Sequence, residues 1–311
     1  MPPAIPFSAL SKTKSNPLNN VQANAGQRFL IVNADDYGYF ESVSTGIIEG
    51  AKAGCITATG IMANSPHFDA CMERLQEAPG LDLGVHLNLT CGAPLSGAMA
   101  DRLQFNNGVF PGKFTVINSL LAQRIRTADV IAEWRAQILR CINRGVRISF
   151  LNSHEHMHML PGLFTATNRL ARDFDIPHVR FSTPEWRGKT GISGIVRNTL
   201  MQIVSLANRG ATADRARLPL LGMNQSGKLD IAYMNRALAA LEPGKPHELM
   251  CHPGRFDPSE ISDPGLRAYH HWEAELSMLM SPAFNDRCRE LGVRLVGYRE
   301  LDGEERSDAG R

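Results

Sequence analysis

The stretch Phe29-Leu-Ile-Val-Asn-Ala-Asp-Asp-Tyr-Gly38 decides how this chain reads. A short apolar run suited to a buried strand ends on two carboxylates and a turn-forming glycine. Two further stretches repeat the device: Leu81-Asp-Leu-Gly-Val-His-Leu-Asn-Leu-Thr90 and Ile148-Ser-Phe-Leu-Asn-Ser-His-Glu-His-Met-His158. In parallel α/β folds, reactive groups sit where strands end at their C-terminal edge. Strand ends that deliver Asp35, Asp36, His86 and His154 to one face would build a single metal site. That pattern points to a metal-dependent hydrolase.

Outward from Phe29 the chain alternates between strand and helix patterns. Strand candidates are 29–34, 55–62, 82–87, 146–152, 177–181, 247–252 and 293–298. Helical spacing covers 41–53, 66–78, 128–144, 162–174, 229–241 and one long run, 268–291. Gly54 follows the first helix as a C-terminal cap residue. Repeated βα units imply a parallel sheet with right-handed crossovers. The expected fold is α/β, a distorted or incomplete (β/α) barrel. Two segments break the rhythm. Residues 91–127 show weak order and read as a functional loop. Residues 185–226 read as an insertion over the active face, and the apolar face of its amphipathic run Ile192–Leu206 needs a partner. The barrel rim, a second subunit in a homodimer, or a lipid tail on the substrate could supply it. Residues 1–27 read as a disordered leader without a secretory h-region, residues 28–301 as one domain, and 302–311 as a flexible tail.

Composition narrows the class. A 43% hydrophobic content supports a substantial core, and a net charge of +2 supplies no field to attract nucleic acid. No apolar run is long enough to span a bilayer. The six Cys are widely spaced, without a zinc-knuckle or redox pair, and fit a reduced, cytoplasmic compartment.

The chemistry rests on carboxylate and imidazole. Neighbours in a strand point to opposite sides, so Asp35 and Asp36 reach one site only if the strand end bends. One could then bind metal and the other water; the plainer reading is a pair capping the next helix. His86 lies in a strand, where a hydrogen-bonded core imidazole is the plainer reading. His154, His156 and His158 alternate, so an extended chain would show all three on one face; one of them is expected to bind the metal, and the others to orient it or contact substrate. In Pro246-His-Glu-Leu-Met-Cys-His-Pro-Gly254 another strand runs into His252, a candidate general acid. His67, His178, His247, His270 and His271 read as surface or packing residues. One Asp with two His suits a divalent ion that keeps positions open for water and substrate.

Asn33-Ala-Asp-Asp-Tyr-Gly38, Gly84-Val-His-Leu-Asn-Leu-Thr90, Ser153-His-Glu-His-Met-His158 and Met250-Cys-His-Pro-Gly254 together resemble the motifs of the YdjC/ChbG-like carbohydrate deacetylases, in order and spacing. Gly222-Met-Asn-Gln-Ser-Gly-Lys-Leu229 and 273–301 match more weakly. That family includes chito-oligosaccharide deacetylases and the hopanoid-associated HpnK branch. The resemblance implies a distorted (β/α) barrel that removes acetyl from an N-acetylated sugar. By motif, it implies that Asp36, His86 and His154 bind the metal, that Asp35 is the base and that His252 is the acid. Many relatives have Asp where this chain has Asn152, a departure beside the ligands that bears on substrate subclass. The metal stays open between Mg2+, with which relatives are described, and Zn2+, which a His/His/Asp set favours. The rival classes are a metal-dependent glycosidase or phosphoesterase on the same barrel, and a non-catalytic sugar-binding relative.

Overall fold

The computed structural model describes residues 26–186, 192–212 and 217–303. The leader expected over 1–27 and the tail expected over 302–311 lie outside these residues, apart from 26–27 and 302–303. The chain runs β1 (Arg28–Tyr37), α1 (Glu41–Lys52), β2 (Ala58–Ile61), α2 (Phe68–Arg74), β3 (Asp82–Leu87), α3 (Gly97–Arg102), α4 (Lys113–Leu121), α5 (Thr127–Asn143), β4 (Ile148–Ser153), α6 (Leu163–Asp173), β5 (His178–Val179) and α7 (Ile192–Ala207). It continues with β6 (Leu220–Leu221), α8 (Ile231–Ala239), β7 (Pro246–Cys251), α9 (Pro264–Tyr269), α10 (Trp272–Leu279), α11 (Pro282–Glu290), β8 (Val293–Leu295) and α12 (Tyr298–Leu301).

All ladders are parallel and run in the order β5-β4-β3-β2-β1-β7-β6. β8 joins the lower part of β1, at Arg28–Leu30, on the edge that β2 takes from Asn33 onward. Among the described residues no ladder joins β5 to β6, so the sheet curls into a barrel without closing. This is the incomplete parallel barrel the sequence implies.

β1 shows how alternation builds the interior. Leu30, Val32 and Ala34 belong to the large core shared with the helices. Phe29 and Ile31 point the other way and pack with Ala58, Phe150, Val296 and Tyr298. Two residues further along that inner face come Asn33 and then Asp35. The barrel interior is therefore apolar at its base and polar toward the strand ends.

Three segments differ from their sequence reading. Residues 91–127 contain α3 and α4; their short helices carry too little periodicity to show. The run 268–291 is three helices rather than one. His270 is extended, and Ser281 caps α11 with Pro282 in its first turn, which no continuing helix tolerates. Within 185–226, β6 pairs with β7, so this segment also supplies a sheet edge. Its helix α7 turns Asn198, Met201 and Ser205 inward, and Asn208 just past it is also buried. The aliphatic residues Val196, Leu200 and Ile203 face outward, more than half exposed. Met201 and Val204 pack with Met159, Phe164, Phe181, Leu220 and Met250, so the barrel rim covers part of the helix's apolar surface and leaves the stripe of Val196, Leu200 and Ile203 uncovered by the described residues.

Candidate active site

The two carboxylates share one site because β1 bulges there. Ala34 pairs with Thr59 and Tyr37 with Ile61, so three steps on β1 oppose two on β2. Asp36 takes a left-handed φ of 69°, which is costly for a residue with a Cβ. The extra residue turns Asp36 back toward the face that Asp35 already occupies.

Asp36 Oδ1 lies 2.8 Å from His154 Nδ1 and 3.1 Å from His86 Nε2. The ligand atoms of Asp36, His86 and His154 all fall within 4.8 Å of one another. His86 sits in β3, and its register partner on β4 is Asn152. Asn152 donates its Nδ2 to Asp35 Oδ1 at 2.9 Å, which fixes the amide's orientation because a carboxylate only accepts. Its Oδ1 therefore accepts from His86 Nδ1, at 2.8 Å. With its proton on Nδ1, a neutral His86 turns an Nε2 lone pair toward Asp36 Oδ1. Two acceptors that close need a proton or a cation between them. One carboxylate and two imidazoles, with one ring oriented by an outer amide, fit a divalent ion. Gly60 keeps the space open: a Cβ there would sit 3.0 Å from Asn152 Oδ1 and 3.1 Å from His86 Cβ.

Asp35 is held differently. Arg180, just past β5, donates Nη1 to Asp35 Oδ2 at 2.6 Å and Nη2 to Oδ1 at 2.8 Å. Its Nε donates to Glu248 Oε1 at 2.7 Å, and Asn33 Nδ2 donates to the same oxygen at 3.0 Å. Burial alone would raise the Asp35 carboxyl; the Arg180 charge overrides it, with help from His86, and brings its pKa down to about 2. Burial opposes ionisation of Asp36 too, yet His154 and His86 hold it well below the usual carboxylate range.

His252 follows β7 and is buried. Its backbone N–H donates to Glu275 Oε2 at 2.7 Å, while its buried Nδ1 has no partner among the described residues. Burial pushes its imidazole below the ordinary histidine value, against the opposing pull of Asp36 and Asp35.

A model of the YdjC-like proteins matches residues 29–290. The chain belongs to the YdjC-like family. Among its YdjC-like relatives, a carbohydrate deacetylase of Geobacillus stearothermophilus is 29% identical over 276 residues, 88% of this chain and 98% of that protein. A carbohydrate deacetylase of Oceanobacillus iheyensis is 36% identical over 152 residues, 49% of this chain and 64% of its own length. The crystal structure of a putative cellobiose-phosphate cleavage protein from Enterococcus faecalis superposes with a TM-score of 0.66 at 26% identity, covering 88% of this chain and 99% of that one.

The YdjC-like motif Ser153–His158 does not present three imidazoles on one face. Glu155 and His156 adopt left-handed φ values of 51° and 56° and fold the segment into a tight turn. Only His154 joins the cluster. His156 Nδ1 meets Ser182 Oγ at 2.9 Å. His158 is fully buried, with Nδ1 2.6 Å from Ser153 Oγ and Nε2 3.0 Å from the Arg180 carbonyl. Sequence reasoning missed Arg180, although Pro177-His-Val-Arg-Phe181 is also a strand running into a charge. His270, read from sequence as a surface or packing residue, is buried and packs, and the ring it packs on is His252, 4.9 Å away between centroids.

Proposed function

We propose that this protein is a metal-dependent carbohydrate N-deacetylase, which hydrolyses the amide of an N-acetylated amino sugar to a free amine and acetate. The observation that carries this reading is the pairing of one Asp/His/His cluster with a separate, arginine-held carboxylate, Asp35, on the same strand end. Family membership supports it, and so do relatives named carbohydrate deacetylase, one of them matched over nearly its whole length.

Asp36, His86 and His154 would hold the ion, Zn2+ or Mg2+. When bound, it supplies a polarised acetyl carbonyl and a water of lowered pKa. Asp35 accepts the proton of the attacking water. Arg180 and Asn152 fix its plane, and Oδ2, which takes only Arg180 Nη1, keeps room for a further donor. The Arg180 charge keeps Asp35 ionised and so able to take up a proton. His252, buried beside the cluster at the end of β7, donates a proton from its imidazole to the departing amine. A depressed pKa makes its protonated form the stronger acid. The loop anchored by Glu185, which accepts from Tyr233 Oη at 2.5 Å and bonds Asn198 through its main chain, shapes the sugar pocket.

The glycosidase alternative needs two carboxylates about 5–9.5 Å apart, each free to act on the glycosidic bond. Here Asp36 is committed to two imidazoles, and Asp35 and Glu248 both to Arg180. The test is acetate release across a panel of N-acetylated mono- and oligosaccharides, with and without a chelator. Chelation should abolish release and Zn2+ or Mg2+ restore it. New reducing ends without acetate would instead point to glycoside cleavage.

A further inference from the structure

The main chain at His252 is fixed twice over. Its N–H is held by Glu275, and two residues on Gly254 N donates to the Trp272 carbonyl at 3.2 Å. Gly46 closes the other side: a Cβ there would lie 2.5 Å from the Gly254 carbonyl carbon. The imidazole has no such tether at Nδ1 among the described residues. A proton donor that turned freely about its side-chain torsions would spend little time in register with the leaving nitrogen.

What meets the ring is a column of flat groups leading in from the surface. The Arg267 guanidinium lies 5.4 Å over the Phe256 ring. Phe256 stacks on Trp272 at 6.0 Å and 10°. Trp272 stacks on His270 at 5.0 Å and 22°, and His270 meets His252 at 4.9 Å and 54°. Tyr269 packs edge-on to His270 at 4.7 Å. His270 is 7% exposed, and its Nδ1, like that of His252, has no partner. Its observed contacts are therefore made with the faces and edges of its ring. Gly227 shuts the column from behind: with φ at 78°, its Cβ would meet the Tyr269 carbonyl at 2.6 Å and His270 Nδ1 at 3.2 Å.

We propose that His270 is a positioning residue, the inner plate of an aromatic column that fixes the imidazole of His252 without a hydrogen bond from the described residues to its Nδ1. This rests on the deacetylase reading, in which His252 is the acid. A carboxylate behind the ring would also orient it, but would stabilise the imidazolium and weaken the acid. A plate orients without that electrostatic cost.

The test uses the full-length protein loaded with its divalent ion and compares His270→Ala, His270→Phe and Gly227→Ala. His270→Ala should lower kcat on an N-acetylated sugar by roughly 10- to 100-fold with little change in KM, as expected when a reacting group is misplaced by about an ångström. The loss should largely vanish on an aryl acetate, whose phenolate departs without a proton. His270→Phe, which keeps a plate but no nitrogen, should restore most of the rate, and Gly227→Ala should fall between the two. In imidazole NMR spectra His270→Ala should shift or broaden the His252 ring signals and leave those of His86 and His154 in place. The proposal is overturned if His270→Phe is as slow as His270→Ala, if the loss is equal on the aryl acetate, or if the His252 signals do not move. A wild-type protein that releases no acetate from any sugar would refute the deacetylase reading instead; the NMR comparison still reads the positioning.

Discussion

Asp35 and His252 flank the same cluster and are held by opposite means. Asp35 is gripped by charge and hydrogen bonds from Arg180 and Asn152. His252 is gripped by its backbone and by ring contact, and its Nδ1 stays bare. The difference fits the roles proposed for them, Asp35 as base and His252 as acid. A base that stays ionised gains from fixed positive charge. An acid that must pick up and release a proton loses if a strong partner keeps it in one state. Electrostatic and packing restraints thus divide the two sides of one barrel mouth.

The largest effects should separate the two groups by substrate. Asp35→Asn should keep the metal and lose about 10²–10⁴ in kcat on every substrate, as for removal of a positioned general base. His252→Ala should lose a comparable factor on N-acetylated sugars but much less on aryl acetates. Steady-state kinetics on both substrate types checks the contrast, and equal losses would dissolve it.

Arg180→Met attacks the electrostatic side alone. It strands two buried carboxylates, Asp35 and Glu248, and should cost about 3–5 kcal/mol in urea unfolding. The corresponding change on the packing side, His270→Phe, should cost far less. Similar losses would mean that the two sides are not built differently.

A smaller effect concerns His158, which is neutral by construction. Burial pushes its pKa down to about 3, although the Arg180 carbonyl it meets favours the protonated ring. The folded-state pKa lies below that of the unfolded chain, near 6.5. Between those values the unfolded state binds the extra proton, so stability present above pH 6.5 drains away as pH falls toward 3. His158→Gln should flatten that slope by up to a few kcal/mol over the interval. An unchanged pH profile of unfolding would place the titration elsewhere.

The barrel was legible because each long strand is an apolar run ending in a functional residue, and the pattern survives without tertiary knowledge. β1, β3, β4 and β7 all read this way. β5 and β6 have two residues each and owe their pairing to neighbours rather than to their own pattern. Arg180 was hidden although its strand was legible, because a cation is not a metal ligand. The bulge at Asp35–Asp36 could be demanded but not seen: alternation required a bend, while the left-handed φ of Asp36 shows only in coordinates. In Ser153–His158 alternation could not say which imidazole would reach the site, since a turn replaces the extended chain it assumes. His270 stayed obscure because its meaning lies in contact with a strand end 18 residues earlier.

The most direct test of the central claim measures metal content and acetate release together, on the same preparations of wild type and His154→Ala. The account predicts close to one divalent ion per chain and chelator-sensitive acetate release for wild type. It predicts loss of both for His154→Ala, with the thermal unfolding profile of the chelated wild type retained. Full metal content in a folded His154→Ala, or acetate release that survives complete chelation, would contradict it.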